Sequence, residues 1–171
     1  MAVLDRFVSR AKRAVGLQGG VTLLVTSSRE LRTLNRRFGG KDKATDVLSF
    51  PAKMRLPLRF TGDVAISADI ASQNAARLGH SVVEEIKILA LHGLLHLAGH
   101  DHERDNGEMS RTEMRLRKQL GLPVGLIERS ERPVRWGGNR RRSTSAKRRA
   151  RLMPALPNLD FPTAADRRGA Q

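Results

Sequence analysis

The chain predicts an α+β fold, a small sheet packed with several helices. Three observations carry that prediction. Apolar residues recur at helical spacing in long stretches at the start and in the middle of the chain. Three short apolar runs, too brief for helices and bounded by turn residues, read as strands. Ser-x-x-Glu patterns and single glycines mark where helices begin and stop.

Val3, Leu4, Phe7, Val8, Ala11, Ala14 and Val15 share one helical face, so residues 2–16 form an amphipathic helix that Gly19-Gly20 breaks. Val21 to Thr26 is a buried strand. Ser27 and Glu30 form a capping box opening a helix to about Arg37, followed by a flexible Gly- and Lys-rich loop over 38–43. Asp46 to Phe50 is a second strand, ended by Pro51, and residues 51–61 are a loop. Asp63 to Ser67 is a third strand. Asp69 caps a helix through Leu78, and Gly79 stops it. Ser81 and Glu84 make another capping box at the head of a long helix to Ala98. Its dense apolar residues (Val82, Ile86, Leu89, Ala90, Leu94, Leu97) place it centrally. Asp105 and Glu108 open the last helix, which ends near Leu120-Gly121.

Composition narrows the function classes. With 171 residues and 39% hydrophobic content, the chain suits one domain plus an extension. It has no cysteine, which excludes disulfides and thiolate metal sites. No apolar run approaches the length of a membrane span. The first residues lack the apolar core of a signal peptide, so a cytoplasmic location and no membrane partner are expected. The net charge of +15 attracts polyanions, of which nucleic acids are the commonest. It is unevenly placed, with twelve Lys and Arg against three Asp and Glu from Arg129 onward. Arg140-Arg141-Arg142 and Lys147-Arg148-Arg149 stand there among Ser, Gly and Ala, a composition that buries too little to order itself. The expected division is a folded region 1–128 and a disordered basic tail 129–171. For the tail, salt-sensitive RNA attachment and a bystander extension weigh equally.

The chemistry concentrates in the segment His92-Gly93-Leu94-Leu95-His96-Leu97-Ala98-Gly99-His100-Asp101-His102. His92 and His96 are four apart and share a helical face, which suits two imidazoles reaching one metal. Gly99 permits the left-handed residue that ends a helix, so the chain turns back and His102 arrives as a third ligand. Three protein nitrogens leave a fourth position open, the pattern of a catalytic zinc site. The spacing matches the H-E-x-x-H-x-x-G-x-x-H of long-form zinc proteases, except that the general-base Glu is replaced by Gly93. His100 falls off the ligand spacing and reads as a rim residue; His80 reads as a loop residue. Asp101 either orients a ligand imidazole, accepts a proton in catalysis, or only shapes the turn.

In this context the chain resembles the YbeY family of bacterial rRNA maturation factors, metal-dependent single-strand endoribonucleases. The resemblance rests on His92-Gly93 through Asp101-His102, on Lys41-Asp42-Lys43-Ala44-Thr45-Asp46-Val47-Leu48-Ser49-Phe50-Pro51, and on Gly62-Asp63-Val64-Ala65-Ile66-Ser67, in the family's order. It implies a zincin-like α+β fold with the metal site on the central helix, residues 1–128 as catalytic domain, and one Zn²⁺ or another divalent transition metal held by His92, His96 and His102. It also implies RNA as partner, namely small-subunit rRNA and ribosomal particles, with a ribosomal protein or assembly GTPase as further partners. Lys41 and Lys43, with Arg36 and Arg37 just upstream, are the candidate substrate-binding residues, and Asp101 the candidate catalytic one. Three features depart from the family. Gly39 stands where the family usually has an Arg before the Gly-Lys-Asp-Lys run, the usual first strand ahead of the first helix is missing, and His100 replaces an aromatic residue.

The mechanism expected from these residues uses the metal as a Lewis acid on a phosphoryl oxygen, with water or a ribose 2′-hydroxyl as nucleophile. The lost Glu at Gly93 fits RNA, which can supply its own nucleophile, better than it fits a peptide. Two other classes stay open: a metalloprotease, against which Gly93 argues, and a noncatalytic ribosome-assembly factor with a structural metal, which Gly39 favours.

Overall fold

The structure is a computed structural model, and it describes residues 2–52, 60–101, 105–124 and 151–152. Five helices and four strands follow in the order α1 (Ala2–Val15), β1 (Gly20–Thr26), α2 (Ser28–Gly39), β2 (Val47–Pro51), β3 (Phe60–Ser67), α3 (Ala68–Leu78), α4 (Val82–Leu97), α5 (Glu108–Leu120) and β4 (Arg151–Leu152). The α+β expectation holds, with boundaries moved by a residue or a few. The largest change is at β3, which begins at Phe60 within the stretch read as a loop. Of that loop, residues 53–59 lie outside the described residues, as do 125–128 of the folded region and 129–150 and 153–171 of the basic tail. No helix among the described residues is long and apolar enough to cross a membrane.

The sheet runs β1-β3-β2-β4. β1 is parallel to β3, β2 antiparallel to β3, and β4 parallel to β2. Val64 is its middle position, paired with Leu23 on one side and Ser49 on the other. Both faces of β2 and β3 are covered, which is why Val47-Leu48 and Val64-Ala65-Ile66 read as continuous apolar runs rather than alternating ones. Val47, Val64 and Ile66 point to one face and join a core with Leu91, Leu94 and Leu95 of α4, Phe7 and Ala11 of α1, and Met109 and Leu116 of α5. Leu48, Phe50 and Ala65 point to the other face and meet Leu31 and Leu34 of α2.

α4 is therefore the central helix. Eleven of its sixteen residues are buried, including Ile88, Leu91, Leu94 and Leu95. Each such side chain contributes about 1.5–3 kcal/mol by leaving water. Its start is fixed by the capping box expected from the sequence. The Ser81 hydroxyl accepts from the Glu84 N–H at 3.2 Å, and the Glu84 carboxylate accepts from the Ser81 N–H at 2.8 Å. Its end is a Schellman turn. Gly99, at φ +94°, donates its N–H to His96 O, and His100 donates to Leu95 O.

The cap of α3 differs from the expected one. Ser67, the last residue of β3, is the cap: its hydroxyl accepts from the Ile70 N–H. Asp69 instead accepts from the Ser28 N–H at 2.7 Å and the Ser28 hydroxyl at 2.9 Å, tying the start of α3 to the start of α2. The N-cap position of α5 is Gly107, at φ +81°, and Asp105 two residues before it accepts from the Gly107 N–H at 3.0 Å and the Met109 N–H at 2.6 Å.

Candidate metal centre

His92 and His96 lie on the last two turns of α4, on the face turned toward α5. Their Nε2 atoms face each other at 3.2 Å. Two nitrogens each about 2.0–2.1 Å from a tetrahedral ion sit roughly 3.3 Å apart, so this separation is that of two ligands of one zinc-like cation. The rings cross at 78° with their centroids 4.8 Å apart. The donor set present therefore fits a divalent transition metal. His96 is 2% exposed and the His92 side chain 20% exposed, so the pair opens to solvent on the His92 side. His102, the expected third ligand, lies outside the described residues. The turn before it is described: the N–H groups of Gly99 and His100 close the end of α4 on His96 O and Leu95 O.

The orientation of His92 comes from a residue that the sequence reading passed over. Nδ1 of His92 donates to Glu113 Oε2 at 2.8 Å, and Arg117 donates to Glu113 Oε1. Both partners sit on the inner face of α5, where Met109, Glu113, Leu116 and Arg117 recur at helical spacing and are all buried. Burial pushes the Glu113 carboxyl upward, but the hydrogen bond and charge of His92 and the charge of Arg117 outweigh it and hold the carboxyl down at about 2. An ionised carboxylate only accepts, so the hydrogen in this bond is carried by Nδ1 of His92, and Nε2 is the nitrogen turned toward His96. The available signal was a Glu on the apolar stripe of the last helix: a charge there has a partner or is not there.

Gly93 explains the missing protease base. A Cβ at this position would lie 2.6 Å from Val64 Cγ1 and 3.1 Å from Ser49 Oγ. The Ser49 hydroxyl donates to Gly93 O at 3.1 Å, so helix and sheet touch backbone to side chain here. A glutamate fits only if the Val64 side chain shifts or the sheet moves away from α4.

The candidate substrate residues form a different environment. Arg36 and Arg37 are on the last turn of α2, with the Arg37 guanidinium 5.2 Å from the Phe38 ring centroid. Lys41 and Lys43 are exposed. Their loop, expected to be flexible, is stapled to α2. Arg32 makes paired hydrogen bonds to Asp42 at 2.8 and 2.9 Å, and the Asn35 amide donates to Lys43 O at 2.7 Å. The Arg32 hydrogen bond, with the charges of Arg32 and Arg36, holds the Asp42 carboxyl below its ordinary value against desolvation. The loop runs directly into Asp46 and Val47, which wall a cavity of about 20 Å³ together with Ile88, Leu89, His92, Glu113 and Arg117. The basic loop thus ends at the wall of the histidine site. Asp101 is half-buried just past the Schellman turn, and its carbonyl accepts from the Asp105 N–H. His100 is half-buried in that same turn. His80 is more than a loop residue: its side chain is 6% exposed and bonds the buried Glu85 at 2.7 Å at the other end of α4.

Comparison with known proteins gives the family of the chain. Residues 2–121 match the family model described as Endoribonuclease YbeY. The chain is 58% identical to the Endoribonuclease YbeY of Koribacter versatilis over 139 residues, covering 81% of this chain and 90% of that one. It is 49% identical to that of Solibacter usitatus, covering 74% and 83%. Among solved structures it is similar to the solution structure of TM1509 from Thermotoga maritima, with a TM-score of 0.51 and 26% identity over 70% of this chain and 81% of that one. The chain belongs to the family of the endoribonuclease YbeY.

Proposed function

We propose that the chain is a metal-dependent, single-strand-specific endoribonuclease with a zincin-like fold. Its proposed role is 3′-end maturation of small-subunit (16S) rRNA, late ribosome assembly and quality control. The observation that carries the metal reading is the 3.2 Å approach of two Nε2 atoms, one of them fixed by a buried carboxylate. The reading as an endoribonuclease is supported by the names of relatives up to 58% identical. His92, His96 and His102 hold one Zn²⁺ or a similar ion, which when bound supplies a Lewis acid for a phosphoryl oxygen. The chain's own residues do the rest. Arg36, Arg37, Lys41 and Lys43 attract the phosphate backbone and deliver it along the stapled loop to the wall of the site. Asp101 takes a proton from the nucleophile, water or a ribose 2′-hydroxyl. The basic tail adds affinity without sequence preference, because clustered arginines release counterions from phosphates.

Gly39, in place of an arginine near this loop, favours a second reading: a noncatalytic assembly factor that binds RNA and keeps the metal for structure. A protease is disfavoured by the contact at Gly93. One experiment separates the three. The purified chain, with and without chelator, is incubated with single-stranded RNA, with immature small-subunit particles and with unfolded protein. Chelator-sensitive cutting of RNA alone is expected. RNA binding without cutting selects the assembly factor, and peptide cleavage selects the protease.

A further inference from the structure

The buried pair Glu113 and Arg117 is an expensive way to join two helices. The residues are 7% and 6% exposed, and Nε of Arg117 is buried with no hydrogen-bond partner among the described residues. Buried ion pairs contribute little net stability compared with well-packed apolar side chains of similar volume. Met109 and Leu116 already supply apolar packing on the same face of α5. What an apolar pair cannot do is accept a proton donor. Glu113 divides its two oxygens accordingly, Oε2 to Nδ1 of His92 at 2.8 Å and Oε1 to Arg117.

We infer that Glu113, held in place by Arg117, is a positioning residue for His92 and sets how tightly the histidine site takes up its metal. The inference rests on the reading of His92 as a ligand. The chain of cause is short. Arg117, one turn further along α5, fixes the rotamer of Glu113 and keeps its second oxygen from water. Glu113 fixes the proton of His92 on Nδ1 and makes the opposite nitrogen a better electron donor. The ring then has one orientation, with Nε2 aimed at His96. Neither α5 residue belongs to the histidine segment. The last helix, which in sequence is only a C-terminal amphipathic stretch, therefore belongs to the metal site.

The test uses the full chain loaded with zinc, in competition with a chromogenic chelator, for wild type, Glu113→Gln, Glu113→Ala and His92→Ala. Loss of a carboxylate behind a ligand histidine typically costs about 10–100-fold in metal affinity. Glu113→Ala is expected to show that loss. Glu113→Gln, which keeps the shape and a neutral acceptor for Nδ1–H, is expected to fall between Ala and wild type. The second readout does not involve metal affinity. The imidazole Nδ1–H proton of His92 is followed by NMR with and without zinc. In wild type it is expected far downfield and protected in both states; in Glu113→Ala it is expected to be lost to exchange. A staple with no further role would lower the melting temperature without moving either the affinity or that signal. Unchanged zinc affinity in Glu113→Ala, beside a loss in His92→Ala, overturns the positioning role. Unchanged affinity in His92→Ala overturns instead the assignment of His92 as a ligand. If Glu113→Ala does not fold, Glu113→Gln decides: affinity and Nδ1–H signal both equal to wild type overturn the inference.

Discussion

Helices α4 and α2 carry the two halves of the candidate site under opposite physical conditions. On α4, His96 is almost wholly enclosed, and His92 is locked by a carboxylate that is itself locked. On α2, Arg36 and Arg37 stand at the surface, and the lysines after them sit on a loop held from below by Arg32 and Asn35. A metal ion demands nitrogens fixed to a few tenths of an ångström, and a packed helix offers such rigidity. A phosphate chain demands charge and reach, and exposed arginines and lysines offer those. The difference teaches that substitutions on α4 should act through metal content and folding, and those on α2 through RNA alone.

The strongest way to break that division is to change a ligand. His96→Ala is expected to remove nearly all bound metal, while Arg36→Ala keeps a full complement; elemental analysis of the purified proteins reads both. Metal loss in Arg36→Ala would join the two regions that the structure keeps apart. Next in size is Gly39→Arg, at the end of α2. If it restores a donor that stabilises transition-state charge, single-turnover cleavage of one single-stranded RNA should rise, by on the order of 10²–10³ at most, with metal content unchanged. Equal rates in Gly39→Arg, Arg36→Ala, Arg37→Ala and wild type would show that no arginine on this helix serves the chemistry.

Gly93→Ala sharpens the α4 side. The new methyl would meet a stiff valine on the central strand at 2.6 Å, so overpacking should cost about 1–3 kcal/mol in urea unfolding. A stability equal to wild type would mean that the helix and sheet have slack at this contact. The smallest effect belongs to the cap of α4. Ser81→Ala should cost about 1 kcal/mol. The Ser81 hydroxyl first, and its N–H second, hold the Glu84 carboxyl below its ordinary value. Its contribution is therefore present above the usual carboxylate pKa and is lost as pH falls through the lowered one. The stability gap between wild type and Glu84→Gln should close in acid, and a gap that widens there would reverse the sign of this linkage.

Local signals told most of the fold. Ser27 and Ser81 opened helices because a hydroxyl three residues before a glutamate serves the first free N–H groups, and Gly79, Gly99 and Gly121 closed them because each takes a positive φ. The histidine face of α4 was legible from spacing alone. What escaped were partners distant in sequence. Asp69 looked like a cap of its own helix, but its carboxylate is taken by Ser28, 41 residues earlier. His80 looked like a loop residue until Glu85 turned back onto it. Glu113 lay 21 residues beyond His92 on a helix read only for its ends. The lysine loop looked free because its staples come from side chains of the preceding helix.

The two residues of β4 lie along the outer edge of β2, where Leu48 pairs with Arg151 and Ser49 with Leu152. A sheet edge of apolar residues with unpaired backbone groups is a template on which another chain can add a strand. The short β4 occupies that template with part of the same molecule. A protein shortened to end before Arg151 would carry an open edge at β2, and its first difference from the full chain would be a tendency to self-associate at high concentration.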